Sequence, residues 1–248
     1  MPSTLYTDPR LVALYDTLNP FAADTAFYLA LAAGKQRVID LGCGTGLLAC
    51  ELASRGHRVI AVDPAPEMLR VARHRPEGER VRWIEGDARA FALLPSADLV
   101  VMTGHVAQVF VDDTSFLDTL KAARYALRDG GTLAFESRNP AARAWESWTP
   151  AQSRRLIDVD GIGEVEVWQD DVSGSPESGI RFNTYYRFKA TDETLTSASE
   201  LRFRTQDELT AQLESAGFRH VTWPGDWDGD CDETAVSAAS RELIVVAH

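Results

Sequence analysis

The chain has 248 residues, 45% of them apolar and 9% aromatic, enough for one or two domains with a full core. A net charge of −12 repels phosphate backbones, so nucleic acid is not expected as a partner, and no apolar run approaches the ~18 residues of a membrane span. Three widely spaced cysteines make no disulfide framework, and Met1-Pro2-Ser3-Thr4 lacks the basic-then-apolar pattern of a secretory signal, so a cytoplasmic protein is expected, as monomer or homodimer.

Residues 8–33 read as two helices. Asp8 caps the first, Pro9 stands in its first turn, Leu11, Leu14, Tyr15 and Leu18 share a face, and Asn19-Pro20 breaks it. Phe21 to Ala33 forms the second, closed by Gly34. Gln36 to Asp40 is then an apolar strand that stops at an acid and meets three glycines in Asp40-Leu41-Gly42-Cys43-Gly44-Thr45-Gly46. Leu47, Leu48, Cys50 and Leu52 carry helical spacing, so the glycines form a strand-to-helix turn. Such a turn lets backbone approach a nucleotide-like ligand and aims helix N–H groups at its polar part. The spacing is G-x-G-x-G, not the G-x-G-x-x-G of dinucleotide binding. Asp40 would repel a pyrophosphate and suit an ammonium group.

His57 to Val62 forms the second strand, ending in Asp63-Pro64. Asp63 lies 17 residues beyond Gly46, close to the roughly 20 at which an acid reaches a ribose, whose two hydroxyl protons a carboxylate can accept. Asp63 also fits an N-cap of the helix opened by Pro66-Glu67-Met68. A short third strand, Val81 to Glu85, leads to Gly86-Asp87-Ala88. The fourth strand, Ala97 to Met102, ends in Thr103-Gly104-His105, and ligands of open α/β sheets bind beyond the strand C-termini. His105 is therefore the one histidine placed as a general base, with capping or packing as its other reading, and Gln108 in the same loop is placed to orient a substrate. Asp112-Asp113-Thr114 caps the next helix. Asp129-Gly130-Gly131 ends it and turns into the fifth strand, Thr132 to Glu136, beyond which Arg138 and Asn139 are suited to an anionic or carbonyl group.

From Arg154 to Arg204 the pattern changes to period two, with four strands and Gly-rich turns, an antiparallel block. Trp145, Trp148, Trp168, Tyr185 and Tyr186 either line a pocket there or, the favoured reading, pack the block. Thr205-Gln206-Asp207-Glu208 is a capping box before the last helix. Phe218 to Trp223 and Glu242 to Ala247 are the sixth and seventh strands. Between them, Asp226 to Glu233 has acids at alternate positions. The sixth position is Cys231 and not Gly, the twelfth Ser237 and not Glu, so this is read as a solvated acidic rim and not a calcium loop, and no metal is expected. Asp228 and Asp230 in that rim would favour a cationic acceptor.

The run Val38 to Gly46, with Asp63, Gly86-Asp87-Ala88 and the acid-Gly-Gly turn in register behind it, resembles the class I S-adenosylmethionine-dependent methyltransferases. The resemblance spans residues 36–136 and, more loosely, 206–248. It implies an α/β fold, a doubly wound, seven-stranded, mostly parallel sheet of Rossmann-like type in the order 3-2-1-4-5-7-6. It further implies a core of residues 1–150 and 205–248, with a helical lid over 1–34 and an antiparallel insertion, 151–204, covering the substrate site. By the same resemblance S-adenosylmethionine is held by Tyr15, Asp40, Gly42, Cys43, Gly44, Asp63, Pro64, Met68, Asp87, Ala88, Thr103 and Gly104. Met68 would cover the adenine and Asp87 would accept its amino hydrogen. Tyr6 and Asp16 are further lid residues, and ordinary helix packing accounts for Tyr15 equally well. Family members acting on nucleobase or amide nitrogen commonly show Asn/Asp-Pro-Pro-aromatic where this chain has Thr103-Gly104-His105-Val106, so the expected acceptor is an O or N atom of a small molecule. A non-catalytic S-adenosylmethionine-binding protein and an NAD-dependent oxidoreductase are the other readings.

Overall fold

A computed structural model describes residues 3–93, 96–227, 236–237 and 239–248. The expected acidic rim at Asp228 and Asp230, with Cys231, lies outside the described residues.

The N-terminal segment forms three short helices, α1 (Thr4–Thr7), α2 (Pro9–Val12) and α3 (Tyr15–Leu18), followed by α4 (Ala23–Leu31). Asp8 caps α2 through the Arg10 N–H, with Pro9 at the first position. The single helix expected over 8–18 is divided at Ala13-Leu14, and its burial shows why. Leu11 and Leu14, three residues apart, turn to one cluster with Val159, Val165, Val167 and Tyr186. Val12 and Tyr15 turn to another with Ala65 and Met68. The tighter turn lets one short segment serve two partners.

Next come β1 (Arg37–Leu41), α5 (Leu47–Ser54), β2 (Arg58–Asp63), α6 (Pro66–Arg73), β3 (Arg82–Glu85), β4 (Ala97–Met102), α7 (Val106–Val109), α8 (Asp113–Ala126) and β5 (Leu127–Arg138). A short helix α9 (Pro150–Ser153) precedes β6 (Arg155–Val159), β7 (Gly163–Ser175), β8 (Gly179–Phe188) and β9 (Thr194–Leu201). Helix α10 (Gln206–Ala216), β10 (Val221–Thr222) and β11 (Glu242–Ala247) complete the chain. The capping box at Thr205 and Glu208 is present, and Gly217 closes α10 in the left-handed region.

The main sheet has seven strands in the order β10-β11-β5-β4-β1-β2-β3, with β11 antiparallel to both neighbours, which is the expected order read from its other edge. One face packs on α8 and α10 through Phe116, Leu120, Leu209 and Leu213. The other packs on α4 and α5 through Phe27, Tyr28, Leu48 and Leu52. Each such side chain, fully buried, contributes roughly 1.5–3 kcal/mol. Strand β5 begins earlier than expected: pairing with β4 jumps from Ala97–Leu127 to Leu99–Thr132, so Asp129-Gly130-Gly131 lies in an irregularity of the strand, where Gly130 has φ +71°. The second sheet is antiparallel, β6-β7-β8-β9. Trp148 is packed in its core with Phe182 and Phe203, and Tyr186 is buried. Trp168 and Tyr185 stack on each other at 5.1 Å, and Arg154 lies over Trp168. Among the described residues no helix is long and apolar enough to cross a membrane.

Candidate active site

Strand register places five charged side chains on one face of the main sheet. Paired residues on adjacent strands point the same way, and alternate residues of one strand share a face. Asp40 pairs with Ala61 on β2 and Val101 on β4. Val101 pairs with Ala134, and Arg138 with Glu242. Asp40, Asp63, Glu136, Arg138 and Glu242 therefore project from the face that carries α4 and α5, near the C-terminal ends of the parallel strands.

The glycine turn is fixed from below, where the Gly42 and Cys43 N–H groups both donate to Val62 O. Gly42, Gly44 and Gly46 all have positive φ, but their surroundings differ. A Cβ on Gly42 would lie 2.4 Å from Val106 Cγ2, and one on Gly46 would lie 2.5 Å from the Trp83 ring. At Gly44 it would meet only Tyr15, at 3.6 Å. Two of the glycines thus permit close packing of the turn, and Gly44 alone presents open backbone toward the lid.

Asp40 sits beneath this turn, 1% exposed, and neither carboxylate oxygen has a hydrogen-bond partner. Burial, with Asp63 and Glu136 adding to it, pushes its carboxyl up to about 7. A buried acceptor pair without a donor fits a ligand bearing a positive, hydrogen-donating group. Asp63, also buried, accepts from Gly44 N at 2.9 Å and Ala65 N at 2.8 Å, which tie the end of β2 to the turn. Burial raises its carboxyl too, against those two bonds. Pro64 beside it is exposed, whereas Cys43 and Ala88 are buried.

The N-terminal helices lie over the turn. Tyr15 lies across both Gly44 and Gly104, edge-to-face with Tyr6 at 6.3 Å, and Met68 is buried beside them. Burial raises the phenols of Tyr6 and Tyr15, that of Tyr15 well above its ordinary range. A latch holds this arrangement: Arg75 pairs with Asp16, donates Nε to Thr45 O at 2.6 Å, and the Thr45 hydroxyl donates to Asp16 at 2.6 Å. Asp87 is half-buried at the edge, accepting from the Arg89 backbone and side chain, which hold its carboxyl below the usual range.

Across the face, His105 follows Thr103 and Gly104 in a left-handed conformation, φ 62°, as the cap of α7. Its N–H donates to Glu136 Oε1 at 2.6 Å, and its Nε2 lies 3.1 Å from Glu242 Oε2. Glu136 is 1% exposed, also accepts from the Tyr28 hydroxyl, and is raised by burial. Gln108, fully buried, accepts from Arg138 N and Nη1 and bonds the second sheet through Arg202 O. Arg138 has no carboxylate within ion-pair distance among the described residues; its guanidinium lies 5.7 Å from the Trp148 ring, and burial lowers it against Glu242 and Glu136. Asn139 is occupied locally, its Oδ1 accepting from Ala141 N and its Nδ2 donating to Ser240 O. The structure thus gathers Tyr15, Asp40, Gly44, Asp63, Met68, Gly104, His105 and Arg138 around one face. It commits the side chains of Gln108, Asn139 and Asp87 to other bonds.

Glu136, Glu242 and Tyr28 are residues of this face that the sequence reading did not single out by role. A glutamate ending the apolar run Leu133-Ala134-Phe135 was the available signal for Glu136. Glu242 has none, because its place depends on β11 folding back beside β5. Among the described residues no cluster of acids, His and Cys has metal-binding geometry. A cavity of about 530 Å³ lies at the opposite, N-terminal edge of β1 and β2, lined by Arg37, His57, Arg58 and Arg82, and shares none of the residues above.

Residues 38–131 match the family described as "Methyltransferase domain". An uncharacterised methyltransferase of Mycobacterium tuberculosis (strain ATCC 25618 / H37Rv) is 38% identical over 101 residues, 41% of this chain. That alignment spans only 50% of the relative's length. The cypemycin N-terminal methyltransferase of Streptomyces sp is 26% identical over 250 residues, 96% of each chain. Among solved structures, an amino pentose methyltransferase from Micromonospora echinaspora, with S-adenosylmethionine bound, superposes with TM-score 0.70 at 20% identity, over 94% of this chain and 96% of that one.

Proposed function

From the premise that the chain carries the domain and the fold of the class I S-adenosylmethionine-dependent methyltransferases, we propose that it transfers a methyl group from that cofactor to a nitrogen or oxygen atom of a small molecule. One observation carries the reading: a fully buried carboxylate, Asp40, without a partner, beneath a glycine turn whose middle glycine is open toward the lid. The cofactor's ammonium would take up the Asp40 oxygens, and Asp63, with lone pairs left beyond its two backbone bonds, would hold the ribose hydroxyls. The open backbone at Gly44 and Gly104 would face the methionine end, with Tyr15 excluding water from above.

When bound, the cofactor supplies a methyl carbon already attached to a good leaving group. The protein's task is then alignment and desolvation, and orientation alone can provide roughly 7–11 kcal/mol. The second sheet, within residues 151–204, forms the acceptor cover in this reading. Arg138 receives an anionic or carbonyl group, and His105 removes a proton where the nucleophile carries one. The Streptomyces relative is a cypemycin N-terminal methyltransferase and the Micromonospora neighbour an amino pentose methyltransferase. The carboxylates Glu136 and Glu242 suit an amine.

Calorimetric titration with S-adenosylhomocysteine, with NAD in parallel, is the test. Micromolar binding of the first alone is expected, followed by homocysteine release in a screen of small amines and alcohols. Binding of NAD alone, or of neither, would refute the cofactor assignment. Asp63→Ala should weaken S-adenosylhomocysteine by about 1.5–3 kcal/mol, the range for hydrogen bonds to a charged group, and unchanged affinity would move the ribose elsewhere.

A further inference from the structure

We propose that Glu242 is the positioning residue that makes His105 a base through one defined nitrogen. Its carboxylate holds the imidazole in the Nε2–H form and leaves Nδ1 to take the acceptor's proton. The inference rests on the methyl-transfer reading and adds to it a residue from the far end of the chain.

The bonding leaves little freedom. An ionised carboxylate offers only acceptors, so the hydrogen shared across the 3.1 Å contact between Glu242 Oε2 and His105 Nε2 must sit on the ring. Neutral imidazole carries one hydrogen, so Nδ1 keeps its lone pair, and among the described residues Nδ1 has no hydrogen-bond partner. The backbone is held by a different acid. His105 adopts φ 62°, which costs a residue with a Cβ about 1–2 kcal/mol, and in that conformation its N–H reaches Glu136 Oε1. Glu136 is in turn fixed by the Tyr28 hydroxyl from α4. One carboxylate therefore sets where the histidine stands and the other sets how its ring is turned, and each has a separate anchor.

Placement agrees with this division. Glu242 opens β11 opposite Arg138 on β5, so the ring is gripped beside the residue assigned to the acceptor. The charged and titratable groups facing His105 are Glu136 on β5, Glu242 on β11 and, behind Glu136, Tyr28 on α4. In the step itself the acceptor's lone pair bonds the methyl carbon and the C–S pair stays on sulfur. The acceptor's N–H or O–H proton passes to Nδ1. The imidazolium so formed is stabilised by Glu242 until Nδ1 returns the proton to water.

The tautomer is read directly, without turnover, by long-range 1H–15N spectra of the full chain labelled at histidine and saturated with S-adenosylhomocysteine. The His105 signals are assigned by their loss in His105→Gln. The expected wild-type pattern is protonated Nε2 and bare Nδ1, collapsing to a mixture of tautomers in Glu242→Ala and also in Glu242→Gln, whose amide can donate as well as accept. A wild-type Nδ1–H pattern, or one that Glu242→Ala leaves unchanged, would overturn the proposal. With the amine that turns over fastest in the homocysteine-release screen, His105→Gln should lower kcat about 100-fold and Glu242→Ala about 10-fold, KM staying near wild type. Equal kcat in all three would also overturn it. Absence of S-adenosylhomocysteine binding would count against the methyl-transfer reading instead, and calorimetry separates that failure from a wrong tautomer.

Discussion

A buried carboxylate with two unbonded oxygens is costly to keep ionised, and Asp40 sets the behaviour of the ligand-free protein accordingly. Its folded value, about 7, stands well above the ordinary carboxylate value near 3.9. A raised carboxyl contributes stability below the unfolded value and loses it as pH climbs through the folded one, so the loss falls between about pH 4 and 7. Asp63 and Glu136, also raised by burial, act in the same direction. Urea unfolding without ligand should therefore show stability falling across this window, and Asp40→Asn should remove up to about 4 kcal/mol of that fall. With ligand the sign reverses, because an ammonium needs the ionised form. Affinity for S-adenosylhomocysteine should rise as pH passes through about 7. Asp40→Asn should weaken it about 10- to 100-fold, on the scale of a charge-assisted hydrogen bond, and make it less dependent on pH. A mutant that binds as tightly as wild type would mean that Asp40 faces no cation.

At the scale of the element, the glycine turn and the lid make separable demands. Gly42→Ala would drive a methyl group to 2.4 Å from Val106 Cγ2, in a backbone conformation that already disfavours a side chain. It should cost about 1–3 kcal/mol of stability, the range for overpacking, and Val106→Ala should recover part of it in the double mutant. Full additivity in denaturant unfolding would show that the steric conflict lies elsewhere. The lid responds to a different change. Arg75→Ala removes both the ion pair to Asp16 and the bond to Thr45 O. Being half exposed, the pair itself is worth only about 0.2–1 kcal/mol, so global stability should barely move. Amide exchange over residues 4–18 should accelerate and S-adenosylhomocysteine should dissociate faster. Unchanged exchange would mean that packing of Leu11 and Leu14, not the latch, closes the lid. The glycine turn was legible in the sequence, because Asp40 and the three glycines are local signals, whereas the seven-strand order followed from the family resemblance and from no local pattern. The divided lid was not legible, since it reflects two tertiary partners competing for one helix. Nor were the side-chain commitments of Gln108, Asn139 and Asp87, each settled by a neighbour remote in sequence or by a turn whose closure the residue types do not specify.

The two sheets meet through buried arginines that no periodicity marks. Arg204, at the exit from the antiparallel sheet, is 1% exposed, stacks at 4.4 Å on Phe116, and donates to Asp113 Oδ1, Phe110 O and Ala107 O. Arg202 beside it bonds Glu208 and Pro176 O, so one short segment joins the second sheet, α7, α8 and α10. A guanidinium buried this deeply loses hydration, which burial registers by lowering Arg204 from its ordinary range. Hydrogen bonds to two carbonyls and a carboxylate offset that loss. Arg204→Met keeps much of the volume and removes every donor, leaving the Ala107 and Phe110 carbonyls short of a partner. At about 1–3 kcal/mol for each buried group left unsatisfied, unfolding in urea should show a loss of about 2–6 kcal/mol. The two carbonyls belong to the segment that follows His105, whereas Asp40 and Asp63 lie on β1 and β2. If the arginine joins the sheets and nothing more, affinity for S-adenosylhomocysteine in the folded mutant stays near wild type while turnover falls with the misplaced α7. A loss of affinity at unchanged stability would instead assign Arg204 to the cofactor side, against its position on the opposite face of the main sheet with Phe116.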